Sequence, residues 1–175
     1  MVLFVRQIVR AAALDMQFYM DLADQAAACR GPILRRALAV VFFSGLAAGL
    51  GMWSQLGPFR AAWYGLIELG GWLLWAVLMF LIGTKLLPRP GMSVKLGTFL
   101  GVVGFSSAPG ILRMLGLIPK IDVVFFFAAL VWMLMAAVVA VKAVFQYTGV
   151  WQAVAVAVIG WVIVRIAQRL LFAVV

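Results

Sequence analysis

Long uncharged runs dominate this chain, and they are far too long to be strands. Residues 37–59 carry no charge and follow directly on Arg35 and Arg36; residues 61–84 carry one charge, Glu68. Residues 96–112 are uncharged, short and rich in glycine, and with residues 113–118 they make a third, irregular run. Residues 123–141 form a fourth, and from Val150 the chain is apolar except for Arg165 and Arg169. About 20 residues of helix cross the roughly 30 Å hydrocarbon layer, so each run has the length of a span. Lipid offers no partner to a backbone amide, so these runs must pair their polar groups internally, as helices. The first span should end near Trp53, ahead of the Gly57-Pro58 breaker. Pro88, Pro90 and Gly91, then Pro119, then residues 146–149 mark the later turns. The pattern predicts an all-α polytopic membrane bundle of about five transmembrane helices.

The first 30 residues differ. Arg6, Arg10, Gln17, Asp21 and Asp24 fall on one side of a helical wheel, with Phe4, Val5, Met16, Tyr19, Met20 and Ala23 over much of the rest. Asp15 is an outlier. The stretch reads as an amphipathic helix too polar to span, lying along the membrane surface. The chain then divides into this interfacial helix, 1–30, and a five-span domain, 31–175. Arg6 and Arg10 interrupt the first apolar stretch before it reaches the core length of a cleaved signal peptide.

Composition agrees with the pattern. Hydrophobic residues make up 67% of the 175 and charged residues 11%, whereas a soluble domain carries about 25% charged. The formal charge of +9 comes from basic residues set between apolar runs, not from a patch, which excludes nucleic acid as a partner. With the N-terminus cytoplasmic, nine Lys and Arg fall inside and five outside, so the positive-inside bias favours that orientation. Cys29 is the only cysteine and there is no histidine. That removes an intrachain disulfide, Cys-based metal clusters and the usual zinc, haem and Ser-His-Asp chemistries; no metal and no cofactor is expected.

Candidate chemistry is confined to a few positions. Glu68 is the one acidic residue deep in an apolar run, and a carboxylate in hydrocarbon costs several kcal/mol, of the order of 3, unless paired or protonated. In a five-span topology Arg113, Arg165 and Arg169 fall in the same half of the membrane, so Glu68 should pair with at least one of them. Arg165 and Arg169 are four apart and share a helix face. Pro109, beside Ser106, Ser107 and Gly110, should kink or break the third span. Gly45/Gly49 and Gly97/Gly101 have the spacing that lets helices approach closely, and read as packing inside the bundle.

Residues 71–87 (GWLLWAVLMFLIGTKLL) and 97–119 (GTFLGVVGFSSAPGILRMLGLIP) resemble the bacterial branch of the Yip domain family, the Ypt-interacting proteins. Residues 14–25 and 137–156 are similar to it too, and the Ser-Ser-Ala-Pro-Gly run inside a membrane segment is the most specific piece. The resemblance implies five spans, a cytoplasmic N-terminus and no known enzymatic activity. Binding of small GTPases, which eukaryotic members perform, is not carried over, because only about 30 residues precede the first span.

Two functions follow as expectations. One is a non-enzymatic membrane protein: a scaffold, membrane organiser or accessory subunit in a bacterial inner membrane, with lipids, other integral membrane proteins or further copies of itself as partners. The other is a small transporter or channel using Glu68, Arg113 and the break at Pro109. A water-accessible path past Glu68 would separate the second from the first. Hydrolysis at Ser106 or Ser107 lacks any histidine base.

Overall fold

The computed structural model describes residues 2–89, 93–118 and 122–174, and among them every regular element is helical. In chain order these are α1 (Val2–Ala12), α2 (Met16–Ala28), α3 (Arg30–Gly51), α4 (Trp53–Leu81), α5 (Leu96–Val103), α6 (Asp122–Phe145) and α7 (Val150–Val174). A π-helical turn, Ile82–Leu86, extends α4, and a 3₁₀ segment, Gly104–Leu117, extends α5. Among the described residues, five helices are long and apolar enough to cross a membrane: Arg30–Gly51, Trp53–Leu86, Leu96–Leu117, Asp122–Phe145 and Val150–Leu170. Pro90, Gly91 and Pro119, invoked above as turn residues, lie outside the described residues.

The first span starts at Arg30, seven residues before the uncharged run, so Arg35 and Arg36 sit on its first turns. Long arginine side chains reach outward to water along a helix end, so charge alone does not mark the boundary. Gly57 breaks the chain where expected: its φ of 74° and ψ of 169° are open to glycine at little cost, and Pro58 then opens the long part of α4 with its φ already suited to a helix. The spans run up and down. One end of the bundle holds the starts of α3, α5 and α7; the far end holds Gly51, Leu117 and Asp122, where the Gln55 amide donates to Asp122.

The amino-terminal stretch is two helices, where the wheel implied one. Ala12 ends α1, Leu14 takes a φ of 58°, and Asp15 caps α2 by accepting from the Phe18 N–H at 3.1 Å. This explains why Asp15 fell off the polar face: it belongs to no helix face at all. Arg10 bonds the same carboxylate at 2.7 Å. Phe18, Tyr19, Leu22 and Ala26 are buried in the common core, so α2 packs on the bundle and not beside it. Its carboxyl end is near the start of α5, where Thr98 donates to the Ala26 carbonyl. The hairpin tip is deeper: the Trp132 indole donates to the Ala12 carbonyl at 2.7 Å. Trp132 stands ten residues after the start of α6 and thirteen before its end, so the tip reaches the middle level of that helix.

The third span decides the rest. Its α5 part faces α3 through Gly97, beside Arg30, and Gly101, beside Ile33 and Leu34. From Gly104 the winding tightens, and with about three residues per turn positions 104, 107, 110, 113 and 116 fall on one face. Those positions are Gly, Ser, Gly, Arg and Gly. Gly104 lies against Ala37, Gly110 against Ser44 and Gly116 against Gly51. Twelve residues of the 3₁₀ segment therefore match fourteen of α3, as a helix of larger rise must. The break expected at Pro109 is thus a change of helix type beginning five residues earlier, and the span continues through the proline without interruption.

Candidate functional site: a buried charge cluster

The 3₁₀ register aims Arg113 into the bundle, where α3, α4, α6 and α7 converge. Its guanidinium is almost wholly buried and donates from all three nitrogens. Nη1 bonds Glu68 Oε2 at 2.7 Å; Nη2 bonds the Ser44 hydroxyl at 2.9 Å and the Ser44 carbonyl at 3.1 Å; Nε bonds the Gly110 carbonyl at 3.2 Å. Gly110 makes this possible, because a Cβ there would collide with the Ser44 hydroxyl. Glu68, on α4, gives its second oxygen to Arg165 of α7, also at 2.7 Å. Tyr64, one turn earlier on α4, interacts with the same carboxylate.

The pairing expected from the sequence is therefore present, with its members sorted. Glu68, Arg113 and Arg165 come together; Arg169 does not join them. It stands one turn further along α7, is exposed, and has no carboxylate partner among the described residues. The guanidinium of Arg165 stacks over Trp161 at 5.7 Å and that of Arg113 over Phe126 at 5.9 Å, so aromatic faces carry part of the charge. Two arginines against one carboxylate leave a surplus of one positive charge, which favours anions over metal cations.

Ser106 and Ser107 separate. The Ser106 hydroxyl donates to the Val103 carbonyl at 2.7 Å, back within its own helix. Ser107 points the other way, into a small cavity of about 30 Å³ also lined by Ser44, Glu68, Trp72, Arg113 and Arg165. Three buried polar atoms without partners in the protein belong to this lining: Trp72 Nε1, Ser107 Oγ and Gln168 Oε1. Gln168 reaches it because Gly71 has no side chain in its way, and its amide nitrogen donates to the Ile67 carbonyl at 3.2 Å. On the far-end side a larger cleft of about 380 Å³ opens between α4, α6 and α7, lined by Tyr64, Phe126, Phe127, Trp161, Arg165 and Arg169. The cleft and the cavity share Glu68, Leu130, Trp161, Arg165 and Gln168.

Toward the other end the bundle is closed. Met79, Phe99, Val102, Val103, Phe105, Ala137, Ala140 and Val141 are fully buried in one core beneath the cluster. Gly45 and Gly49, expected to pack helices, do so against α4, at Leu69 and at Ala61 and Gly65. Ser44, Trp72 and Gln168 were not singled out by the sequence reading. A signal for the site did exist: the repeat of small residues at every third position from Gly104, interrupted once, by Arg113.

In comparisons with known proteins, no family model, no curated protein and no solved structure matches this chain.

Proposed function

We propose that this chain is a non-enzymatic, Yip-like integral membrane protein that acts as a scaffold or accessory subunit of a larger membrane assembly. The observation that carries the reading is the combination of a saturated charge cluster with a closed core below it. Both oxygens of Glu68 are committed to arginines at 2.7 Å, and the fully buried residues from Met79 to Val141 leave the 30 Å³ cavity without an exit toward the α3 start. A carrier or channel needs a path that reaches both sides at some stage of its cycle. An enzyme needs a nucleophile with a base; Ser106 is bonded to its own backbone, and Ser107, though unpartnered in the cavity, has no histidine to serve it, while Glu68, which lines the same cavity, is held by two arginines.

The orientation proposed is N-terminus cytoplasmic, in a bacterial inner membrane, with Arg30, Lys85, Lys95 and Lys142 near the cytoplasmic face. Partners are lipids together with other integral membrane proteins or further copies of the chain; nucleic acid has no place in it, and no cofactor is invoked. Affinity purification in mild detergent, followed by mass spectrometry, tests the reading. A partner co-eluting in fixed proportion is the expected result. A lone protein that drives ion or solute flux after reconstitution in liposomes would overturn it.

A further inference from the structure

The cleft between α4, α6 and α7 has features that a structural ion pair does not require. Its wall carries Arg165 and Arg169 on one face of α7, and among the described residues Glu68 is the one carboxylate that lines it, already shared with Arg113. Three arginines against one carboxylate leave two positive charges uncompensated at the edge of an apolar bundle. Such charge is costly in lipid unless an anion answers it. Trp161 lies beneath Arg165 on the same helix, the facing wall is aromatic, with Tyr64 of α4 and Phe126 of α6, and the surface beside the cleft is apolar, with Phe127 of its lining and Ile166, next to Arg165 in the chain, both exposed. Behind the arginines lie the unpartnered donors Trp72 Nε1 and Ser107 Oγ.

We propose that this cleft binds the phosphate headgroup of an anionic membrane phospholipid, with the phosphate against Arg165 and Arg169 and the acyl chains over Phe127 and Ile166. Size places the headgroup in the cleft and not in the inner cavity. A volume of 30 Å³ holds about two water molecules, whereas the 380 Å³ cleft is of the size of small-ligand sites. Depth places it in the lipid and not in free solution. Arg169 is one turn, about 6 Å, nearer the far end than Arg165, so the pair spans the zone where headgroups meet hydrocarbon. Phe127 and Ile166 then offer the chains an apolar surface that a soluble anion would not use. The site stands independently of the accessory role, since a lipid could be held in a scaffold or a carrier alike.

The test is native mass spectrometry of the detergent-purified protein titrated with phosphatidylglycerol, with phosphatidylcholine and with inorganic phosphate. One phosphatidylglycerol should be retained per chain, in clear preference to phosphatidylcholine, and millimolar phosphate should not displace it. Arg169→Gln should weaken retention about five-fold, the worth of one cation at a headgroup; Arg169→Lys should keep most of it and Arg169→Glu should abolish it. Arg169 is exposed and has no carboxylate partner among the described residues, so these variants should melt like the parent, and lost binding is then not lost folding. Equal retention of both lipids would overturn the proposal by removing charge as its basis. Displacement by inorganic phosphate would overturn it in favour of a free-anion site. Binding unchanged in Arg169→Glu, or no bound lipid at all, would overturn it outright.

Discussion

At the scale of single residues, Glu68 holds the cluster together because it is the one anion between two cations, Arg113 buried and Arg165 half-buried. Its removal leaves Arg113 and Arg165 facing each other without a counter-charge, and losing one member of a buried pair costs about 3–5 kcal/mol. The three side chains are not equivalent. Arg113 is 2% exposed and Glu68 7%, but Arg165 is 24% exposed and rests on Trp161. Removing Arg165 leaves the neutral Glu68–Arg113 pair intact. Thermal unfolding in detergent should therefore rank Glu68→Gln as the most destabilised, Arg113→Gln next and Arg165→Gln least. Equal melting temperatures for Glu68→Gln and the parent would mean that the cluster contributes nothing to folding.

At the scale of elements, the contact between α3 and the 3₁₀ segment is backbone against backbone. A Cβ on Gly51 would strike the Arg113 carbonyl, which cannot rotate away as a side chain would. Gly51→Ala should cost about 1–3 kcal/mol by forcing the two helices apart, and should disturb Arg113 at the same time. Gly70, on α4, is the matched control: it is exposed, with nothing within 4 Å of the added carbon. Gly70→Ala should be neutral or stabilising by up to about 1 kcal/mol, the helix preference of alanine over glycine. Unfolding midpoints of the two variants, measured side by side, check the pair. The winding of the third span makes the contact specific, since an α-helix would carry Ser107, Gly110 and Arg113 around its circumference and away from α3.

At the scale of the whole molecule, five spans crossing in turn would place the start of α3 and the end of α7 on opposite sides of a membrane. Cys29 is exposed at the junction of α2 and α3, and Ser54 is exposed at the far end, between α3 and the long part of α4. In the proposed orientation, a membrane-impermeant maleimide should leave Cys29 unlabelled in intact cells and label it after permeabilisation. The Ser54→Cys variant in a Cys29→Ser background should show the reverse, with labelling in intact cells. Labelling of Cys29 from outside would invert the topology, and with it the leaflet that faces the α4–α6–α7 cleft.

Span number, helical class and the need of Glu68 for an arginine were all legible in the sequence, because lipid imposes one-dimensional rules: run length counts spans, and a lone buried carboxylate demands a cation. Those rules work residue by residue and need no knowledge of neighbours. Which arginine answers Glu68 was not legible, since Arg113, Arg165 and Arg169 satisfy the same rule and only the packing of α7 on α4 sets Arg169 apart. The hairpin of α1 and α2 was hidden for a similar reason. An amphipathic wheel reports which face is apolar, but not whether lipid or the α5–α6 surface covers it. The 3₁₀ winding, the small cavity and the cleft came from the tertiary structure alone, because they exist only where several helices, each regular by itself, are brought within contact distance.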